Sequence, residues 1–123
     1  MIHLDTSVLI EALSGKKLLA PQLRQLLDNG ERIHLSTLVL FEWRRGPRVA
    51  EQLDAQEALF PSTDAVPFGP GEALLAAELY RKVRRPRGRE IDIVIAACAI
   101  AHNAELWTVN PGDFKDIPDL KLL

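Results

Sequence analysis

A three-layer α/β sandwich around a short, mainly parallel sheet is the fold class that these 123 residues predict. Short apolar runs alternate with helical stretches along the whole chain, which is the order of parallel strands joined by crossover helices. The runs at 2–4, 33–35 and 106–109 are apolar without strict alternation, as strands covered on both faces are. One helical stretch, 91–102, is apolar on nearly every side and so belongs in the middle of the molecule. In sheets of this kind ligands bind just beyond the carboxyl ends of the strands.

The elements follow in order. Residues 2–4 read as a buried strand. Asp5, Thr6 and Ser7 can cap a helix over 8–13, which Ser14 and Gly15 stop. A second helix is expected over 21–27, with Pro21 in its first turn and Gly30 past its end. After the strand 33–35, Ser36 and Thr37 cap a helix that carries Leu38, Phe41 and Glu42 and ends at Gly46 and Pro47. Residues 49–59 continue as helix, 65–68 form a short extended piece, and 71–83 form a helix with Leu74, Leu75, Glu78 and Leu79 at helical spacing. Pro86 and Gly88 break the chain before the apolar helix. The strand 106–109 follows, and 120–122 is a candidate edge strand.

Composition predicts one globular domain over 1–123: 47% of residues are hydrophobic and 26% charged. No apolar run approaches the roughly 18 residues that span a bilayer. The start, Met1 to Asp5, lacks the basic-then-apolar order of a signal peptide, so a cytoplasmic protein without membrane partners is expected. The single Cys98 cannot form an internal disulfide and reads as packed core. Trp43 and Trp107 read as core too, with stacking on a base as the alternative. The formal net charge of −2 hides an asymmetry, because residues 81–89 hold six cations (Arg81, Lys82, Arg84, Arg85, Arg87, Arg89) and no acid. Such a strip is a candidate phosphate contact or a solvated, acid-pairing surface.

Four acids stand against apolar sequence: Asp5 after the first strand, Glu42 within Leu38 to Trp43, Asp92 at the head of the apolar helix, and Asp113 after the strand 106–109. A carboxylate beside apolar surface loses hydration and needs partners. Each has a bland reading. Asp5 can be an N-cap, Asp92 can answer a helix dipole, Glu42 can pair with Arg44 or Arg45, and Asp113 can belong to a turn. Yet helical spacing puts Asp92 on one face with Ile95, Ala96 and Ala99, and Glu42 on a stripe with Leu38 and Val39. All four fall at strand ends or helix starts expected on one rim. Converging carboxylates repel unless a cation lies between them, and hard ions such as Mg²⁺ or Mn²⁺ take oxygen ligands. Glu51, Asp54 and Glu57 read as solvated surface. His3, His34 and His102 lack zinc spacing, and no phosphate-binding glycine loop, dinucleotide turn or nucleophile elbow is present.

The runs Ile2 to Ser7, Ser36-Thr37-Leu38 leading to Glu42, Ile91 to Ala99, and Leu106 to Phe114 together resemble a PIN-domain protein, and within that fold the VapC ribonuclease toxins of toxin–antitoxin pairs. The resemblance extends over essentially the whole chain. It implies a PIN-like α/β/α sandwich and an endoribonuclease dependent on one or two Mg²⁺ or Mn²⁺ ions, with Asp5, Glu42, Asp92 and Asp113 as its acids. It also implies a homodimer and a cognate VapB-like antitoxin that occupies the active-site groove. Asp5 and Asp92 are then direct ligands. Glu42 ligates or orients the attacking water, and Asp113 holds a second ion or a bridging water. Thr6, Ser7, Thr108 and Asn110 are supporting residues, and Ser7 stands where such proteins often carry Asn. Arg84, Arg85, Arg87 and Arg89 are candidate RNA contacts. A PIN-like module that binds RNA or protein without cutting is the competing reading.

Overall fold

The computed structural model describes residues 1–123. Strands β1 (Ile2–Leu4), β2 (Ile33–His34), β3 (Glu105–Trp107) and β4 (Lys121–Leu122) form one sheet in the order β2-β1-β3-β4. Every pairing is parallel, with Ile2 beside Ile33 and Glu105, and Leu4 beside Trp107. Helices α1 (Thr6–Leu13), α2 (Ala20–Asp28), α3 (Thr37–Arg45), α4 (Ala50–Leu59), α5 (Pro70–Lys82) and α6 (Glu90–Ala101) complete the α/β/α sandwich. Single 3₁₀ turns lie at Ser62–Asp64 and Pro111–Asp113. No helix is long and apolar enough to cross a membrane.

The first and third strands meet at the centre. β1 is flanked by β2 and β3, so the backbone of residues 2–4 is bonded on both sides and Ile2, Leu4 and Leu106 are almost wholly buried. Covering a side chain of this size contributes about 1.5–3 kcal/mol. α6 packs chiefly on α5 and also meets α3 and β3. Its run Ile95-Ala96-Ala97-Cys98-Ala99 is buried without a break, because small side chains let neighbouring elements approach from several directions. Burial pushes the Cys98 thiol up to about 11, as expected of packed core. Trp43 is wholly covered and Trp107 nearly so, which removes both indoles as stacking platforms for a base.

Where element ends differ from the sequence reading, a local bond explains it. α1 begins at Thr6, two residues early, because Asp5 accepts the Thr6 N–H as its cap. β3 stops at Trp107 instead of 109: the Thr108 side chain and the Val109 N–H turn toward α1, where Val109 donates to Ser7 Oγ at 3.2 Å. Residues 65–68 contribute only an isolated parallel bridge from Val66 to Ser36, since Pro67 has no N–H with which to extend a ladder.

Candidate active site

The carboxyl ends of β1 and β3 open on one edge, and the chain places a hydroxyl or carboxylate at each exit. Asp5, directly after β1, is only 6% exposed. Its backbone sits at φ −75°, ψ 155°, where a residue can cap α1. Oδ1 accepts the Thr6 N–H at 2.9 Å, while Oδ2 accepts hydroxyl protons from Ser7 at 2.8 Å and Thr108 at 2.7 Å. The capping role and the site role are thus both held by one side chain. Thr108, the first residue after β3, also accepts the Asn110 N–H at 3.0 Å, which ties the next loop to the same cluster.

Glu42 enters from α3. Its Oε1 accepts the Thr6 hydroxyl at 2.6 Å, and Arg45 reaches Oε2 only at 3.4 Å. That arginine is 56% exposed, so the pair is a weak surface contact and does not neutralise Glu42. Arg44 turns away, to Gln56 and Glu57. Asp92 lies in the first turn of α6 and is half-buried. Asp113 closes the 3₁₀ turn after β3 and is exposed, and its carbonyl rather than its carboxylate accepts from Arg89.

Asp92 feels the charge of the other three acids, although no three of them stand within shared coordination reach. Asp92 is raised from 3.8 to about 6, first by burial and then by the negative charges of Asp5, Asp113 and Glu42, with Arg89 acting in the opposite direction. Three of the four elements that carry these acids are remote in sequence from α6, so the repulsion records their convergence. No three His, Cys, Asp or Glu side chains already form a coordination cage. Mg²⁺ needs no such cage, because it keeps several waters and is held by one or two carboxylates. An oxygen-only set with a half-buried acid repelled by its neighbours fits a hard divalent cation: Asp5 is the most enclosed donor, Glu42 and Asp92 are half-buried, and Asp113 is exposed.

Of the basic segment, Arg84, Arg85 and Arg89 line, with Asp116, an open recess of about 470 Å³ that contains no hydrophobic residue. Arg87 is exposed and lies outside it. The Asn110 side chain is exposed, and its backbone closes the turn by accepting from Asp113 N at 3.0 Å. Asp116 is not among the acids that stand against apolar sequence. Its engagement with Arg89 was not visible there, although the three-residue step from Asp113 put both carboxylates on one short turn. A larger concavity lies elsewhere: a groove of about 530 Å³ among α1, α2 and α4, lined by apolar residues such as Leu13, Leu23 and Leu27 and by none of the four acids.

The PIN domain family model matches residues 2–120. The chain belongs to the PIN-domain family. Among curated relatives it is 37% identical over 120 residues to "Ribonuclease VapC19" of Mycobacterium tuberculosis, covering 96% of this chain and 95% of that protein. It is 30% identical over 132 residues to "Ribonuclease VapC" of Rickettsia bellii, covering 97% and 92%. Among solved structures it is similar to VapBC2 from Rickettsia felis bound to a promoter DNA fragment, with 28% identity, a TM-score of 0.82 and coverage of 100% and 98%. The DNA-bound VapBC of Salmonella typhimurium, at 19% identity and a TM-score of 0.80 over 99% and 96%, shares the PIN fold. On this PIN domain, the carboxylates of Asp5, Glu42, Asp92 and Asp113 are the acids that the sequence had singled out.

Proposed function

We propose that this PIN domain is a VapC-type endoribonuclease toxin, dependent on Mg²⁺ or Mn²⁺ and held inactive by a VapB-like antitoxin. The observation that carries the reading is the state of Asp92 near the carboxyl edge of a parallel sheet, where burial first, and then the charges of Asp5, Asp113 and Glu42, raise it to about 6. A module that only bound the phosphates of RNA would gain nothing from a negative pit. The relatives named ribonuclease, which match nearly end to end, support the same chemistry.

When bound, a divalent cation supplies charge neutralisation at the scissile phosphate and makes water more acidic. Asp5 and Asp92 would hold it. The Ser7 and Thr108 hydroxyls keep Asp5 Oδ2 fixed, and Thr6 does the same for Glu42 Oε1. Glu42 keeps Oε2 free of any strong partner, so it can accept a proton from, or orient, an attacking water. Asp113 would act through a water or a second cation. Arg84, Arg85 and Arg87 are exposed cations beside this edge and would contact the RNA backbone, giving salt-dependent affinity without reading sequence. The groove among α1, α2 and α4 suits the apolar face of a partner helix, which is the kind of surface an antitoxin needs. A homodimer is part of the same reading.

The test uses the chain free of any antitoxin, with Mn²⁺ and structured RNA. Cleavage should require the metal and should disappear in Asp5→Ala and Asp92→Ala proteins that retain the wild-type circular dichroism. Undiminished cleavage by Asp92→Ala would show that the site is misassigned.

A further inference from the structure

Arg89 is the last residue before α6, three positions ahead of Asp92, and it is an arginine standing next to a metal-binding pit. An arginine there would be expected to seize a carboxylate of the pit. It does not. Its Nη1 and Nη2 donate to Asp116 Oδ2 and Oδ1 at 2.9 and 2.7 Å, a two-pronged pair, and Nη2 also donates to the backbone carbonyl of Asp113 at 2.8 Å. Only 23% of the arginine side chain is exposed. The fork therefore fastens the turn that carries Asp113 to the helix start that carries Asp92, and leaves both carboxylates free.

Apart from the fork, the loop is held by its own backbone bonds, by the Asn110 N–H to the Thr108 hydroxyl and by the buried Phe114. Pro111–Asp113 is a single turn closed by Asp113 N to Asn110 O, and by Phe114 N and Lys115 N to Pro111 O, each at 3.0 Å. Its acid must nevertheless stay beside Asp92, which it repels. Phe114, buried behind the turn, anchors its far side, but nothing apolar holds Asp113 itself.

We infer that Arg89 and Asp116 form a positioning pair that clamps the Asp113 turn onto the start of α6 and so sets the spacing between the Asp113 and Asp92 carboxylates. This goes beyond a role for Arg89 in touching RNA, and it rests on the divalent-metal reading given above. The two roles for Arg89 predict effects on different ligands. If the arginine serves substrate, Asp116→Asn releases it and tightens RNA binding. If it is a clamp, the same change loosens the turn and weakens metal binding.

The experiment compares the unsubstituted chain with Arg89→Lys, which keeps the charge but cannot form the fork, and with Asp116→Asn. Amide hydrogen exchange of the metal-free proteins should quicken at residues 113–117 and stay unchanged in the buried part of α6. Mn²⁺ affinity, titrated by calorimetry without RNA, should fall about tenfold in both variants, the lower end of what removing an outer partner of a metal ligand costs. Wild-type exchange and Mn²⁺ affinity in both variants would overturn the clamp and leave the nuclease reading intact. Absence of Mn²⁺ binding by the unsubstituted chain would remove that reading and the clamp together.

Discussion

The Thr6 hydroxyl donates to Glu42 Oε1 at 2.6 Å, linking the first residue of α1 to α3 across 36 positions of sequence. Thr6 is adjacent to Asp5, so one short segment fixes one acid by its backbone and another by its side chain. The bond holds one oxygen of Glu42, while the looser contact to Arg45 is made by the other. Thr6→Ala should therefore lower RNA cleavage about tenfold while Thr6→Ser preserves it, as for other residues that orient a ligand from behind. Stability should change by less than about 1 kcal/mol, because the better helix propensity of alanine offsets part of the lost bond. Wild-type cleavage by Thr6→Ala would show that Glu42 needs no such hold.

Asp92 gives a sharper case, in which stability and function oppose each other. Its folded value of about 6 lies above the ordinary 3.8, so the folded state binds more protons than the unfolded one between those values. The sign follows: without metal, stability falls as pH rises through that window and stays reduced above it. The cost is about 1–3 kcal/mol once solvent screening is allowed for. Asp92→Asn should raise the metal-free melting temperature at pH 7.5 by roughly 3–10 °C and lose that advantage near pH 4. Mn²⁺ should raise the melting temperature of the unsubstituted chain and not that of the variant, and the variant should not cut RNA. Equal melting temperatures for the two metal-free proteins at pH 7.5 would mean that the carboxylates do not crowd Asp92.

The sequence showed the acids and the layer order because both depend on local contrast: a charged residue in an apolar run, or an apolar run between turns. Asp92 against Ile95, Ala96 and Ala99 is such a contrast, and it sits where the helical spacing placed it. What the sequence did not show depends on partners far along the chain. Residues 106–109 read as one strand, yet Thr108 leaves the sheet because Asp5 and Ser7, about a hundred positions away, offer better bonds than β4 does. Arg89 read as one more exposed cation in a basic strip, whereas Asp116 gives it a fixed direction. A strip of like charges conceals which member has a partner, since composition alone cannot separate them.

Thr108 tests the inner side of the site. Its hydroxyl donates to Asp5 Oδ2 at 2.7 Å and accepts from Asn110 N at 3.0 Å. Thr108→Val keeps the shape and removes both bonds, which leaves a nearly buried carboxylate with one hydroxyl donor fewer. Urea denaturation should show a loss of about 1–3 kcal/mol. Mn²⁺ affinity should fall about tenfold, and Thr108→Ser should restore most of both. A valine variant as stable as the unsubstituted chain would mean that Ser7 and the α1 backbone suffice to hold Asp5.

His3 lies in β1, opposite His34 in register, and is 2% exposed with neither ring nitrogen bonded. Its ring centroid is 5.5 Å from that of His102 and 6.4 Å from that of His34. Burial lowers it from 6.5 to about 4, with the neighbouring imidazoles His102 and His34 and the amino terminus acting in the same direction. The unfolded chain therefore binds a proton near pH 6.5 that the folded chain refuses until about pH 4. Stability contributed by the neutral ring is fully present above 6.5, is lost as pH falls through that window, and changes no further below it. The loss amounts to about 3 kcal/mol. His3→Leu removes the titrating ring and the unpartnered nitrogens at once, so it should be neutral or mildly stabilising at pH 7.5. At pH 4.5 it should be the more stable protein by about 2–3 kcal/mol. Urea unfolding of both proteins across that range checks the point: parallel curves would show that the imidazole accepts its proton in the folded state as readily as in water.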